Sequence, residues 1–196
     1  MLPFSLPKLP PPNSATEALE AALQILAENG LSDATVSLTP GPGGSATLTG
    51  ARLHAKFPHR SLERMVQKKI AEQVAAHGMS ASETSLSLSN AEESGAALRL
   101  TCSLHTQVKA FGGTLPMRLQ ADLDFGDGRR LQLREPLVDV GSGIFSNIAA
   151  AMIRPTLQTL ASNPILFEQI TQTPVQITRL FAGTDALEVE LLFLES

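Results

Sequence analysis

The chain has 196 residues, room for one domain or at most two small ones. It is 43% hydrophobic and 17% charged, carries a net charge of −4, and all 8 of its aromatic residues are Phe. This composition excludes an aromatic stacking platform for single-stranded nucleic acid and a generally basic nucleic-acid binder, so no DNA partner is expected. The single cysteine, Cys102, excludes an intramolecular disulfide and a zinc site built on several thiolates.

Residues 1–12 read as a Pro-rich extended arm, and 13–196 as a single α+β domain. Prolines interrupt the N-terminal apolar run, so it does not read as a signal peptide. No stretch approaches the roughly eighteen apolar residues of a spanning helix. If Met1 is the native start, the expected location is the cytoplasm.

Asn13 and Ser14 can cap a first helix, in which Ala18, Leu19, Ala22, Leu23, Ile25 and Leu26 recur at helical spacing and which Asn29-Gly30 closes. Val36 and Leu38 form a short strand, followed by the turn Pro40-Gly41-Pro42-Gly43-Gly44. Ala46 and Leu48 share one strand parity, and Ala51, Leu53, Ala55 and Phe57 the other. Gly50 between them suggests a bulged, bent strand. A second helix is expected over 59–77, with Leu62, Val66, Ile70 and Val74 spaced by four and Gly78 after it. Leu86 and Leu88 alternate with serines on a strand with one wet face.

From Ala97 to Phe111 the even positions are mostly apolar and the odd ones polar, the pattern of one long single-faced strand. Taking Gly112-Gly113 as a hairpin turn pairs Ala110 with Leu115, Val108 with Met117, Thr106 with Leu119, Leu104 with Ala121, Cys102 with Leu123 and Leu100 with Phe125. A loop of Asp127, Gly128 and Arg129 then pairs Phe125 with Leu131 and Leu123 with Leu133, with Leu137 further along the same apolar parity. The result is a three-stranded antiparallel meander. After Gly141-Ser142-Gly143 a third helix carries Ile144, Ile148, Met152 and Ile153, and Pro155 kinks it or starts a second segment. A closing hairpin ends the chain, with Leu187, Val189, Leu191 and Phe193 on one face. A strand of about 15 residues would extend to nearly 50 Å. In a domain of this size it must coil. The expected architecture is therefore α+β: a long, strongly curved antiparallel sheet wrapped around amphipathic helices.

The run 128–138, GRRLQLREPLV, is similar to the strand before the last helix in the DUF2993 (LmeA-like) phospholipid-binding family. Pro174–Leu180 and Ala186–Leu191 resemble that family's C-terminal hairpin, and the order of elements from about Gly44 onward is also similar. The resemblance covers about three quarters of the chain. It implies a tubular lipid-binding (TULIP-like) half-barrel and a phospholipid or fatty-acyl ligand. It supplies no catalytic residue. If Met1 is the native start, the chain is expected to depart from the family in having no export signal.

Two features carry candidate chemistry. Lys56, Arg60, Arg64, Lys68 and Lys69 form a basic cluster, and Arg60, Arg64 and Lys68 make one helical ridge. Such a ridge can meet an anionic membrane or RNA phosphates, or can simply be a solvated helix face. Leu100, Leu104, Val108, Met117, Leu119, Leu123, Phe125, Leu131 and Leu133 form an apolar sheet face that either lines a groove or packs as a filled core. His54, His59, His77 and His105 show no metal-binding spacing, and Gly141-Ser142-Gly143 is not a nucleophile elbow. Asp122, Asp124 and Asp127 read as a solvated face rather than a cation site.

No enzyme, cofactor or metal is therefore expected. The leading expectation is non-enzymatic binding of an elongated apolar ligand, with peripheral contact to anionic membrane. The alternative is an interaction protein with a self-filled core, whose basic helix docks a protein or RNA. The sequence leaves the oligomeric state open.

Overall fold

The computed structural model describes residues 12–44, 46–75, 78–90, 98–110, 113–141, 155, 157–159, 161–167 and 173–195. Residues 1–11 of the expected arm, Ile144, Ile148, Met152, Ile153 and His77 lie outside them.

Helix α1 spans Ala15–Glu28. Ser14 caps it by accepting the Glu17 N–H, and the Glu17 carboxylate reaches back to the Asn13 N–H at 2.7 Å. It closes at Asn29-Gly30, where the Leu31 N–H donates to the Leu26 carbonyl at 2.8 Å with Gly30 at φ +74°. Helix α2, His59–Ala75, ends in the same way: Gly78 is at φ +70°, and the Met79 N–H donates to the Val74 carbonyl at 3.0 Å. Both helices stop where a glycine can turn left-handed.

The fold is α+β with two antiparallel sheets rather than one. The first has four strands, ordered β1 (Thr35–Thr39), β2 (Arg52–Pro58), β9 (Ala186–Phe193) and β8 (Val175–Ala182). The second has five, in sequence order: β3 (Ser80–Asn90), β4 (Arg99–Ala110), β5 (Gly113–Asp124), β6 (Arg130–Asp139) and β7 (Ile165–Leu166). The bent strand expected through Gly50 is instead a turn. Gly50 has φ +77°, its N–H donates to the Phe193 carbonyl, and β2 begins only at Arg52.

Alternation along β4 and β5 sorts the residues to the expected faces, but the register differs by two residues. Leu100 pairs with Leu123, Leu104 with Leu119, Thr106 with Met117, Val108 with Leu115 and Ala110 with Gly113. A two-residue slide keeps apolar opposite apolar, so alternation specifies the face and leaves the axial position to the turn. In the next pair Leu123 lies opposite Leu133, as expected.

Each strand flanking this central hairpin carries a β-bulge with a left-handed glutamate. In β3 the register shifts between Ser82 and Ser85, with Glu83 at φ +51°. In β6 two residues, Glu135 (φ +47°) and Pro136, oppose the single Ala121. The β6 bulge inverts parity beyond it. Val138 joins the apolar face opposite Leu119, and Leu137, expected on that face, turns outward and is 66% exposed.

The apolar face of the four-stranded sheet has two partners. Ala15 and Ala18 of α1 pack on Ala51, Leu53, Ala55, Val175 and Phe193. Farther along, Ile177, Leu180, Ala182, Leu187 and Val189 pack on Leu98, Leu100, Phe125 and Leu131 of the five-stranded sheet. Strand β8 joins the sheets at both its ends. The Ile177 N–H donates to the Gly128 carbonyl at 2.7 Å, and the Asn90 amide brackets Ala182, accepting its N–H at 2.8 Å and donating to its carbonyl at 2.9 Å. Gly128 follows β5, and Asn90 ends β3. At about 3.3 Å per residue, the span from Ile177 to Ala182 is roughly 17 Å, enough to cover the roughly 10–14 Å of the two to three strand spacings between β3 and the β5–β6 turn. Strand β8 thus crosses the end of the meander and closes it.

Candidate functional site: the inner face of the five-stranded sheet

The pairing places the inner-face residues in rows across the strands, at increasing distance from the closed end. Nearest is the row Leu100–Leu123–Leu133, with Asn90 at its β3 edge. Leu100 is 1% exposed, and together with Phe125, Leu123 and Leu131 it belongs to the core shared with β8 and β9. The Phe125 ring lies 6.2 Å from that of Phe167. These positions form the end wall.

The next row holds Leu88, Cys102 and Ala121. Burial raises the Cys102 thiol above its ordinary range, which keeps it protonated and unreactive. Beyond it runs Leu86–Leu104–Leu119–Val138, one aliphatic residue from each of four consecutive strands, all partly exposed. This belt belongs to neither of the two cores described above. The two bulges bracket it, one just before Leu86 and one just before Val138. The following row contains Thr84, Thr106 and Met117. The two threonine hydroxyls are 3.0 Å apart, and both residues are buried, at 7% and 5% exposure. Met117 is partly exposed, and Val108, one row on, is buried.

The nine expected face residues therefore divide. Leu100, Leu123, Phe125 and Leu131 build the end wall, Leu133 lies beside it opposite Leu123, and Val108 is buried at the far end. Leu104, Leu119 and Met117 lie on the partly exposed stretch between. Leu86, Val138, Thr84 and Thr106 complete that stretch and were not singled out from the sequence. Pro136 within a strand pattern was the available signal for the β6 bulge. Thr84 shares the parity of Leu86 and Leu88, so alternation along β3 was the available signal for it.

Helix α2 packs mainly along β3, and Glu63 accepts the Leu86 N–H at 3.2 Å on the outer edge of that strand. The basic cluster is largely neutralised. Arg64 pairs with Asp33 at 2.8 Å, Lys56 with Glu188 at 3.4 Å and Lys69 with Glu72 at 3.4 Å. Arg60 and Lys68 stand exposed on α2. Ser61, fully buried, donates to Asp33 and holds its carboxyl below the usual carboxylate range, with Arg64 adding to the effect. On the neighbouring sheet the Thr178 hydroxyl, helped by Arg52, lowers Glu190 in the same way.

The outer face of the meander is polar, but Asp124 is not solvated as the sequence suggested. It is 4% exposed, covered by Arg134 and Arg99, and it accepts the Gly126 N–H at 2.8 Å. His105 is exposed on that face, and His54 and His59 are partly buried on the first sheet and the start of α2. Among the described residues no group of three His, Cys, Asp or Glu could hold a metal ion. No described helix is long and apolar enough to cross a membrane. The chain matches no protein-family model, no curated protein and no solved structure.

Proposed function

We propose that the protein is a non-enzymatic binder that holds a lipid or another elongated apolar ligand against the inner face of the five-stranded sheet. The observation behind this reading is the belt Leu86–Leu104–Leu119–Val138, a continuous, partly exposed aliphatic strip across four strands with an apolar wall at one end. The reading includes a TULIP-like architecture, in which the sheet curls strongly around its helices. The two bulges and the intrinsic twist of long strands favour such a curl.

Magnitudes assign the dominant force. A ligand that removes about 200 Å² of apolar sheet surface from water gains about 5 kcal/mol. Arg60 and Lys68, at about 1 kcal/mol each near an acidic bilayer, add about 2 kcal/mol. Apolar burial therefore holds the ligand. The helix ridge supplies a weak, reversible contact with anionic membrane at most.

Native mass spectrometry of the purified protein, alone and with added phospholipid, tests the reading. The expected result is a lipid adduct. Leu119→Asn should weaken it about tenfold or more while thermal melting still reports a folded chain. Absence of any adduct would overturn the reading and favour the interaction protein with a self-filled core.

A further inference from the structure

Beyond the row of Leu88, Cys102 and Ala121 the inner face is apolar except for one hydroxyl pair whose hydrogen bonding is weak on one side. The Thr84 and Thr106 hydroxyls bring two hydrogens to a site where one bond, 3.0 Å long, joins them. If Thr84 is the donor, the remaining hydrogen, on Thr106, has only the Ser82 carbonyl at 3.5 Å, the far limit of a hydrogen bond. If Thr106 is the donor, the Thr84 hydrogen has no partner among the described residues. Either way one hydroxyl hydrogen is poorly satisfied on side chains more than nine-tenths buried.

Two valines would fill the same space without that deficit, because replacing both members of a buried polar pair by apolar isosteres is close to neutral. The backbone next to Thr84 is also strained. The bulge holds Glu83 at φ +51° directly beside Thr84, which shares the inner face with the Leu86 belt. Strained bulges of this kind are over-represented next to functional sites.

Resting on the lipid-binding reading above, we propose that the Thr84–Thr106 pair is the polar anchor of the ligand site, donating its spare hydrogen to an uncharged ester carbonyl oxygen of a lipid. Polarity along the face sets the direction of binding. The acyl chain points toward the wall of Leu100 and Phe125, and the ester lies at the threonines, six residues along β4 and roughly 20 Å away. That span suits one long extended acyl chain. No described residue of the inner face is charged, so a buried carboxylate would find no counter-ion there. The anchor selects an ester over a free fatty acid, and any charged headgroup lies beyond it.

The test displaces a fluorescent apolar dye from the full chain with methyl palmitate, palmitate or heptadecane. The wild type should bind methyl palmitate most tightly. The double variant Thr84→Val/Thr106→Val should fold as well as the wild type and lose roughly five- to tenfold in methyl palmitate affinity, with heptadecane unchanged. Thr106→Ser, which keeps the hydroxyl, should retain the ester preference. An unchanged ester preference in the double valine variant, or an equal loss for ester and alkane, would overturn the anchor while leaving lipid binding standing. Failure of every probe to bind the wild type would overturn both.

Discussion

At Gly128 the two sheets come into backbone contact, and the position is closed to a side chain. It sits at φ +86°, and any Cβ there would overlap the Ile177 carbonyl oxygen and crowd the Gln176 side chain. Gly128→Ala therefore combines left-handed strain with a backbone collision, each costing about 1–3 kcal/mol. For a chain of this size that predicts a melting temperature lower by roughly 4–24 °C in a thermal scan. An unchanged melt would mean that the Gly128–Ile177 contact does not hold the sheets. Glu83 and Glu135 occupy the same left-handed region without being glycine, and each sits in a bulge that reorders the face beside it. For that reason Leu137 could not be placed from alternation. Its period is right, but one extra residue upstream inverts its meaning.

Elements whose signals are local were the most legible. Both helices start and stop close to where caps and glycines indicate, because a helix end is decided within a few residues. Strand faces were equally readable along β4 and β5, whereas their register was not. Sliding Leu104 from Ala121 to Leu119 leaves an apolar pair either way. How α2 is held to the chain before it is another long-range feature: Asp33, in the loop before β1, receives both Ser61 and Arg64. Ser61 is the larger cause of the lowered Asp33 pKa, so the ionised carboxylate favours the folded state. The resulting stabilisation is fully present above the unfolded pKa near 3.8 and is lost as pH falls through the lower folded value. Ser61→Ala should raise the Asp33 pKa toward 3.8, as followed by carboxyl carbon NMR. The stability gap between wild type and variant should be open at neutral pH and close in acid. A gap independent of pH would assign the Ser61 contribution to packing alone.

At the scale of the molecule, the sequence suggested one curled sheet, and the chain builds two that meet through β8 and a shared apolar core. The apolar residues of the closing hairpin were correctly sorted to one face, but the residues that decide what this face packs against lie in turns and strand ends. Asn90 looks like ordinary loop polarity, although its amide acts as one more strand residue for β8. The candidate site depends on this joint, because the wall of Leu100 and Phe125 exists only where β8 and β9 cover it. Opening the joint at Asn90 should therefore be felt in two places. Asn90→Ala strands the Ala182 N–H and carbonyl, a loss of about 1–2 kcal/mol and a fall of roughly 3–6 °C in melting temperature. Asn90→Asp should cost more at neutral pH, since a carboxylate keeps the acceptor but faces the Ala182 carbonyl with no donor. Hydrogen exchange provides the local readout. Protection of the Ala182 amide should fall sharply in both variants, while the Leu104–Leu119 pair in mid-meander stays protected. Equal loss of protection throughout the meander would mean that the two sheets unfold as one unit. In that case the end wall of the site would be no more separable than the strands that carry it.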